Sequence, residues 1–146
     1  MDNNVLIDGT QYIMIKLGKE RFGIDIKYVD NIVRMMDITR VPMIQPYMKG
    51  VINLRGDIVP VMSTRIKLEL EDCEATDASR IIIVKMEGND TIGLIVDEVR
   101  EVVTLTEEEI EKVSFDKDEK TNYVSSVGKL SDGLISILEL NALLAE

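Results

Sequence analysis

One pattern occurs twice in this chain, and it limits the possible folds more than any single motif does. Phe22-Gly23-Ile24-Asp25-Ile26, followed by Val29, Ile32 and Val33, lines up with Ile92-Gly93-Leu94-Ile95-Val96, followed by Val99, Val102 and Val103. Each residue of the second stretch stands 70 positions after its partner in the first. The strands expected before the two stretches match with a shift of one. Further on, residues 51–62 line up more loosely with 127–138, Leu54 falling on Leu130 and Val61 on Ile137. A series of hairpin, amphipathic segment and hairpin used twice implies two similar small β-lobes. Neither copy alone has enough residues to bury much core, so an apolar interface between the lobes is expected.

The local reading fills in this plan. Residues 11–17 read as a strand rich in β-formers, and 22–26 as its return after Gly18-Lys19-Glu20-Arg21. Ile26, Val29, Val33 and Met36 recur at helical spacing, which predicts a short amphipathic helix over 27–36. Residues 51–54 and 58–62 flank Arg55-Gly56-Asp57, a hairpin signal. Pro60 donates no ladder bond, so its strand belongs at an edge or turns that position outward. The β-branched run 80–86 predicts a buried strand, with 92–96 returning after a turn. Thr106-Glu107-Glu108-Glu109 has capping-box spacing, with Leu105 and Ile110 as its hydrophobic staple, and predicts a helix over 107–112. Residues 122–130 and 134–138 form another hairpin, and Leu140, Leu143 and Leu144 mark a last helix over 139–145.

Composition removes most chemistry. The 146 residues contain no histidine, so Ser-His-Asp triads, Cys-His pairs and histidine-ligated metals are excluded. Neither a phosphate-binding Gly-x-x-x-x-Gly-Lys-Ser/Thr loop nor a dinucleotide-binding Gly-x-Gly-x-x-Gly occurs, so no cofactor is expected. Cys73 is the only cysteine, stands among acids, and reads as a linker residue rather than a catalytic thiolate. A net charge of −10 argues against nucleic-acid binding, which depends on cations meeting phosphate. No apolar stretch reaches the roughly 18 residues a membrane span needs, and the polar start Met1-Asp2-Asn3-Asn4 is unlike a secretion signal. A cytoplasmic protein without direct membrane insertion is expected. No feature positions a pair of carboxylates for catalysis, so the reading is a binding module rather than an enzyme.

Four stretches together resemble the CheW family of chemotaxis coupling proteins. They are Phe22-Gly23-Ile24-Asp25-Ile26 with Val29 and Ile32; Val41-Pro42 followed by Pro46; Gly50-Val51-Ile52-Asn53-Leu54-Arg55-Gly56 with Val59-Pro60-Val61; and Gly93-Leu94-Ile95-Val96-Asp97 with Val99 and Val102. The resemblance runs from about residue 11 to the C-terminus. It implies a mainly all-β fold of two SH3-like β-barrel lobes. Lobe 1 would take residues 11–68 and a C-terminal return over 130–146, an acidic linker 69–78, and lobe 2 residues 79–129. It further implies a non-catalytic scaffold in chemotaxis signal transduction. The expected partners are the cytoplasmic tip of methyl-accepting chemoreceptors and the CheW-like regulatory domain of the histidine kinase CheA. The protein would be a monomer when isolated and part of receptor arrays in the cell. A CheW-like module serving another sensor kinase or motility pathway is the alternative.

Three positions depart from the family pattern: Asn31 where many members carry an acid, Ser63-Thr64 where Asp-Leu is common, and Ser126 where glycine is frequent. The receptor-binding candidates are Arg55, Gly50, Asn53, Val29, Val99 and Val102. Arg55 leads them: the resemblance implies that the arginine of this motif contributes to receptor coupling, and its fixed fork of donors suits carboxylates or main-chain carbonyls on a partner helix. Ile38, Val41 and Met43 are candidates for the kinase face. The matched apolar residues Val29, Ile32, Val99 and Val102 are individually expected in the core, with some apolar groove left for a partner helix.

Overall fold

A computed structural model describes residues 9–42, 44–88, 90–112 and 123–145. Met43, one of the kinase-face candidates, lies outside them, as does residue 122, the first of the predicted strand 122–130. Eleven strands among the described residues form two sheets. The first sheet has the order β8-β1-β2-β11-β10-β9: β8 is Glu98–Leu105, β1 Thr10–Leu17, β2 Glu20–Asp25, β11 Gly133–Leu138, β10 Val124–Leu130 and β9 Ile110–Lys112. The second has the order β3-β6-β7-β5-β4: β3 is Val29–Arg34, β6 Arg80–Lys85, β7 Thr91–Val96, β5 Asp57–Ser63 and β4 Met48–Leu54. Two short helices follow β5 and β11, α1 over Thr64–Lys67 and α2 over Leu140–Leu144. The fold is all-β, and each sheet is an SH3-like lobe with an open seam rather than a fully closed barrel.

The duplication is present, but the two copies have exchanged parts. Hairpin β4–β5 pairs with β7 of the second repeat, through the parallel partners Val61 and Gly93. Hairpin β10–β11 pairs with β2 of the first repeat, through Ile137 and Gly23. Strand β3 likewise lies beside β6, and β8 beside β1. The compact units are therefore Lys27–Val99 and, separately, the chain up to Ile26 with the chain from Arg100 onward. This differs from the expected division, in which 11–68 and 79–129 were the bodies of the lobes. The reason is that each repeat's first hairpin finds its hydrogen-bonding edge in the other repeat.

The loose match between 51–62 and 127–138 is close in three dimensions. Both first strands carry a bulge, between Met48 and Gly50 and between Val124 and Ser126. The Ser63 N–H donates to the Tyr47 carbonyl at 2.7 Å, and the Glu139 N–H to the Tyr123 carbonyl at the same distance. Ser63 and Glu139 then cap α1 and α2 with their side chains, accepting from the Ile66 and Asn141 N–H groups. Serine thus performs at the N-cap what aspartate would do in its place.

Two predicted helices are not formed. Residues 27–36 make a 3-10 turn at Ile26–Tyr28 and then strand β3. Val29, Ile32 and Val33 are β-branched, and β6 offers a full ladder of partners, which outweighs a four-point apolar spacing. A bulge between Val29 and Asn31 resets the register, so Asn31 and Val33 share the more buried face while Asp30, Ile32 and Arg34 turn outward. Residues 107–112 give only a 3-10 turn, Glu107–Glu109, because Ile110–Lys112 pairs with β10. The Glu109 carboxylate still accepts from the Thr106 N–H at 2.8 Å, the capping-box contact without the helix. The last helix is present as α2, and β6 is buried over Ile81–Val84 as expected. Pro60 stands just before the β5–β7 ladder begins at Val61, where its missing donor costs nothing.

Each lobe has its own apolar centre: Tyr12, Met14, Leu105, Ile135 and Ile137 in one, Ile52, Val59, Val61, Ile81 and Ile83 in the other. Full burial of a side chain of this size contributes about 1.5–3 kcal/mol. In the second lobe the chain after β3 comes round to the free edge of β4. There the Thr39 N–H donates to the Val51 carbonyl at 2.8 Å and the Val51 N–H to the Thr39 carbonyl at 2.9 Å. Gly50 makes this closure possible. At a φ of +141° any Cβ would stand 2.1 Å from the Thr39 carbonyl oxygen.

Two stability outcomes follow from these contacts. Gly50→Ala should destabilise the protein by about 2–4 kcal/mol, whereas Gly56→Ala, with open space around its Cβ, should cost about 1 kcal/mol; urea midpoints compare them. Thr64 is buried, and its hydroxyl has no hydrogen-bond partner among the described residues. Thr64→Val keeps the shape and removes the unsatisfied group, so it should raise stability by about 1 kcal/mol in the same assay.

Candidate interaction surface

The β4–β5 register pairs Leu54 with Asp57, leaving Arg55-Gly56 as a two-residue loop. Both residues have positive φ, 55° and 90°, as a type I′ turn requires. The Asn53 side chain holds this turn from below, its Oδ1 accepting the Gly56 N–H at 2.9 Å. Arg55 is therefore displayed at the tip of a short, stiff hairpin. It is exposed and, among the described residues, makes no hydrogen bond or ion pair. Asp57, two residues on, does not hold it. Ile58 follows and is 65% exposed.

The equivalent turn of the other lobe, Ser131-Asp132, is closed instead. Arg21 on β2 donates from Nη1 to Asp132 Oδ1 at 3.0 Å and from Nη2 to the Leu134 carbonyl at 3.2 Å. The hydrogen bond from Arg21 and its positive charge hold the Asp132 carboxyl below its ordinary range. Leu134, the counterpart of Ile58, is 61% exposed. Both lobes thus show a large apolar side chain next to the hairpin turn, but only one leaves its arginine free.

The other candidates are more scattered. Gly50 is buried under Thr39 and offers no side chain to a partner; its role is to let the lobe close. Asn53 is exposed and braces the turn that presents Arg55. Val29 is half-buried on β3, at the opposite end of the strand order from β4. Val99 is half-buried and Val102 is 48% exposed on β8. Ile32, which the repeat aligns with Val102, is also exposed. Asn31 turns back on its own strand, its Oδ1 accepting the Ile32 N–H at 2.8 Å. These residues do not form one cluster with Arg55 within either lobe.

The kinase-face candidates Ile38 and Val41 do share a groove. A cavity of about 640 Å³ runs beside the start of β4, lined by Ile38, Val41, Pro42, Ile44 and Met48 with Arg40 and Lys49 at its rim. Ile38 is half-buried against the lobe's core and forms the floor, while Val41 and Ile44 stand exposed above it.

A charged constellation behind this groove was not singled out from the sequence. Arg65 on α1 donates from Nε to Asp97 Oδ1 at 2.9 Å and from Nη2 to Oδ2, and from Nη1 to the Glu71 carbonyl at 2.7 Å. The hydrogen bonds that Arg65 donates to Asp97 raise the guanidinium pKa further above its ordinary value. Lys49 donates to Asp72 at 2.6 Å and holds that carboxyl below its usual range. The acidic segment 69–78 is therefore exposed but not loose: two cations of its own lobe hold it down. The only sequence signal was Asp97 itself, which closes the Gly93-Leu94-Ile95-Val96-Asp97 stretch; its partner on α1 is 32 residues away and has no local pattern. Asp72 and Asp97 are each engaged by a cation, which leaves them ill suited to acid–base chemistry. Among the described residues no group of His, Cys, Asp and Glu is arranged to hold a metal ion. No helix among them is long and apolar enough to cross a membrane.

With this geometry in place, comparison with known proteins is decisive. The sequence model of the CheW-like domain matches residues 11–146. The chain belongs to the CheW family. Among its relatives, the chemotaxis protein CheW of Bacillus subtilis is 35% identical, across 93% of this chain and 87% of that protein. The chemotaxis protein CheW of Klebsiella aerogenes is 32% identical, across 94% and 82%. The crystal structure of the scaffolding protein TtCheW from Thermoanaerobacter tengcongensis superimposes with a TM-score of 0.86 at 33% identity, covering 94% of each chain.

In this CheW-family chain the two ion pairs should differ in weight. The side chains of Arg65 and Asp97 are only 18% and 26% exposed, while Lys49 and Asp72 are more open. Arg65→Ala leaves a poorly hydrated carboxylate and should cost about 2–3 kcal/mol. Lys49→Ala should cost less than about 1 kcal/mol. Thermal melts of the two variants check the order.

Proposed function

We propose that this chain is a non-catalytic adaptor that couples the cytoplasmic tips of methyl-accepting chemoreceptors to the regulatory domain of the kinase CheA. Family membership supports the chemotaxis scaffold, and TtCheW is itself described as a scaffolding protein. The observation that carries the receptor assignment is the free Arg55 on its braced hairpin. Its side chain is already displayed, so binding needs no internal ion pair to be broken. The exposed Ile58 beside it supplies apolar area of the kind a helical receptor bundle buries. The groove of Ile38 and Val41 is the proposed kinase face, on the same lobe but at the other end of β4. The adaptor works in the cytoplasm, at receptor arrays, through these protein contacts.

Arg55→Glu should weaken binding to a receptor-tip fragment by about tenfold or more, as loss of an arginine anchor does, with an unchanged circular dichroism spectrum. Val41→Asp should leave receptor binding intact and weaken capture of the kinase regulatory domain. Receptor binding that Arg55→Glu leaves untouched sinks the assignment of that face.

A further inference from the structure

A second cavity lies beneath the acidic segment. It has a volume of about 460 Å³ and an apolar floor of Met35, Ile38 and Ile95. Its wall is the chain's own Asp72, Cys73, Glu74 and Ala75. Ile38 and Lys49 line this cavity and also the groove of Val41 and Ile44, so the two are continuous at those residues.

What holds the segment over the cavity is weak and polar. Residues 71–78 are all exposed. Among the described residues, four contacts hold it against the sheet: the Lys49–Asp72 pair, the Arg65 bond to the Glu71 carbonyl, a long Cys73 Sγ–H contact to Asp97 Oδ1 at 4.0 Å, and the Arg80 bond to the Asp77 carbonyl at 2.8 Å. An exposed pair such as the first contributes little and is screened by salt. At its ends the segment is tied to its own neighbours, by the Leu70 N–H to the Arg65 carbonyl at 2.8 Å and the Thr76 N–H to Ser79 Oγ at 2.8 Å. Its middle is thus a short strap, held by weak polar contacts, between two ends tied to their own neighbours.

We propose that residues 71–75 are a gate, and that opening it lengthens the kinase-docking groove into one cleft. This rests on the reading of the Ile38–Val41 groove as the kinase face. The occupant is an apolar segment of the kinase regulatory domain that carries a carboxylate. Apolar side chains cover Ile38, Met35 and Ile95, and the carboxylate takes the place of Asp72 on Lys49. The charge requirement follows from the closed form. Arg65 keeps Asp97 when the strap lifts, whereas Lys49 is left as a cation without a partner at the junction of the two cavities.

Two single substitutions in the full chain separate the parts of this proposal. Asp72→Asn and Lys49→Glu both break the strap contact, but only Asp72→Asn retains the cation. Hydrogen exchange of residues 70–79 should be about twofold to fivefold faster in both than in the unsubstituted protein, with β4 and β7 unchanged; equal exchange overturns the gate. Affinity for the regulatory domain of the cognate CheA should rise by about twofold to fivefold in Asp72→Asn and fall in Lys49→Glu. Equal affinity in Asp72→Asn overturns the lengthened cleft, and a gain in Lys49→Glu overturns the carboxylate. If neither the unsubstituted protein nor Asp72→Asn binds that domain, the kinase face itself is wrong, and the exchange rates alone then decide for or against the gate.

Discussion

Two short parallel ladders hold the architecture together, β5 against β7 and β11 against β2. Each joins a hairpin of one repeat to a strand of the other. Parallel neighbours require a crossover connection, because no tight turn joins them. Between β5 and β7 that crossover is α1, the acidic segment and β6; between β2 and β11 it is almost the whole remaining chain. The N-caps at Ser63 and Glu139, the bulges at Gly50 and Ser126, and the two hairpin turns all lie on strands placed by these ladders. The exchange makes each lobe depend on both repeats, and it sets the sequence separation of the lobe contacts.

Within this near-symmetric frame the useful differences are electrostatic. The Arg21 guanidinium ties down the Ser131-Asp132 turn of one lobe. No cation among the described residues does so at the matching turn of the other lobe, and the turn itself carries Arg55. The free arginine is thus a consequence of where each lobe puts its charge, on a neighbouring strand or on the turn. The same lobe also carries the longer connection after α1, and its Lys49 and Arg65 turn that connection into a strap. Ser63 and Thr64 show the milder effect of substitution on a shared plan. The serine caps α1 as well as an acid would, while the threonine brings a hydroxyl into a site that has no partner for it among the described residues.

Much of the fold was legible along the chain. Hairpins 11–26, 51–62 and 80–96 follow from β-branched runs and turn residues, and the last helix from Leu140, Leu143 and Leu144. The stretch 27–36 misled because Ile26, Val29, Val33 and Met36 fit a helix while the same valines and Ile32 also suit an edge strand. The alternation that would have decided it is hidden because polar Asn31 stands on the inner face of β3 and apolar Ile32 on the outer. Of the candidate site, Arg55 was legible as a residue displayed at a turn, whereas Asn53, expected at the receptor face, is found bracing that turn. Gly50 stood in the same run for a different reason, the close approach of Thr39. Ile58 and Leu134 were within reach of the repeat, since their positions align. The Arg65–Asp97 pair was not, because an ion pair between distant residues leaves no periodic trace.

By itself, then, the chain determined its family, its all-β character, its duplication and the turn that displays Arg55. These are local or periodic properties, written in β-branched runs, glycines and a repeated order of motifs. The tertiary structure alone decided which hairpin joins which sheet, and so where the two lobes divide. It also decided that the acids at 71–72 are pinned over a cavity and that one hairpin arginine is left free. Those outcomes depend on strands and charges that meet only after the chain has crossed between repeats, and the energies that select them are those of pairing at long sequence separation.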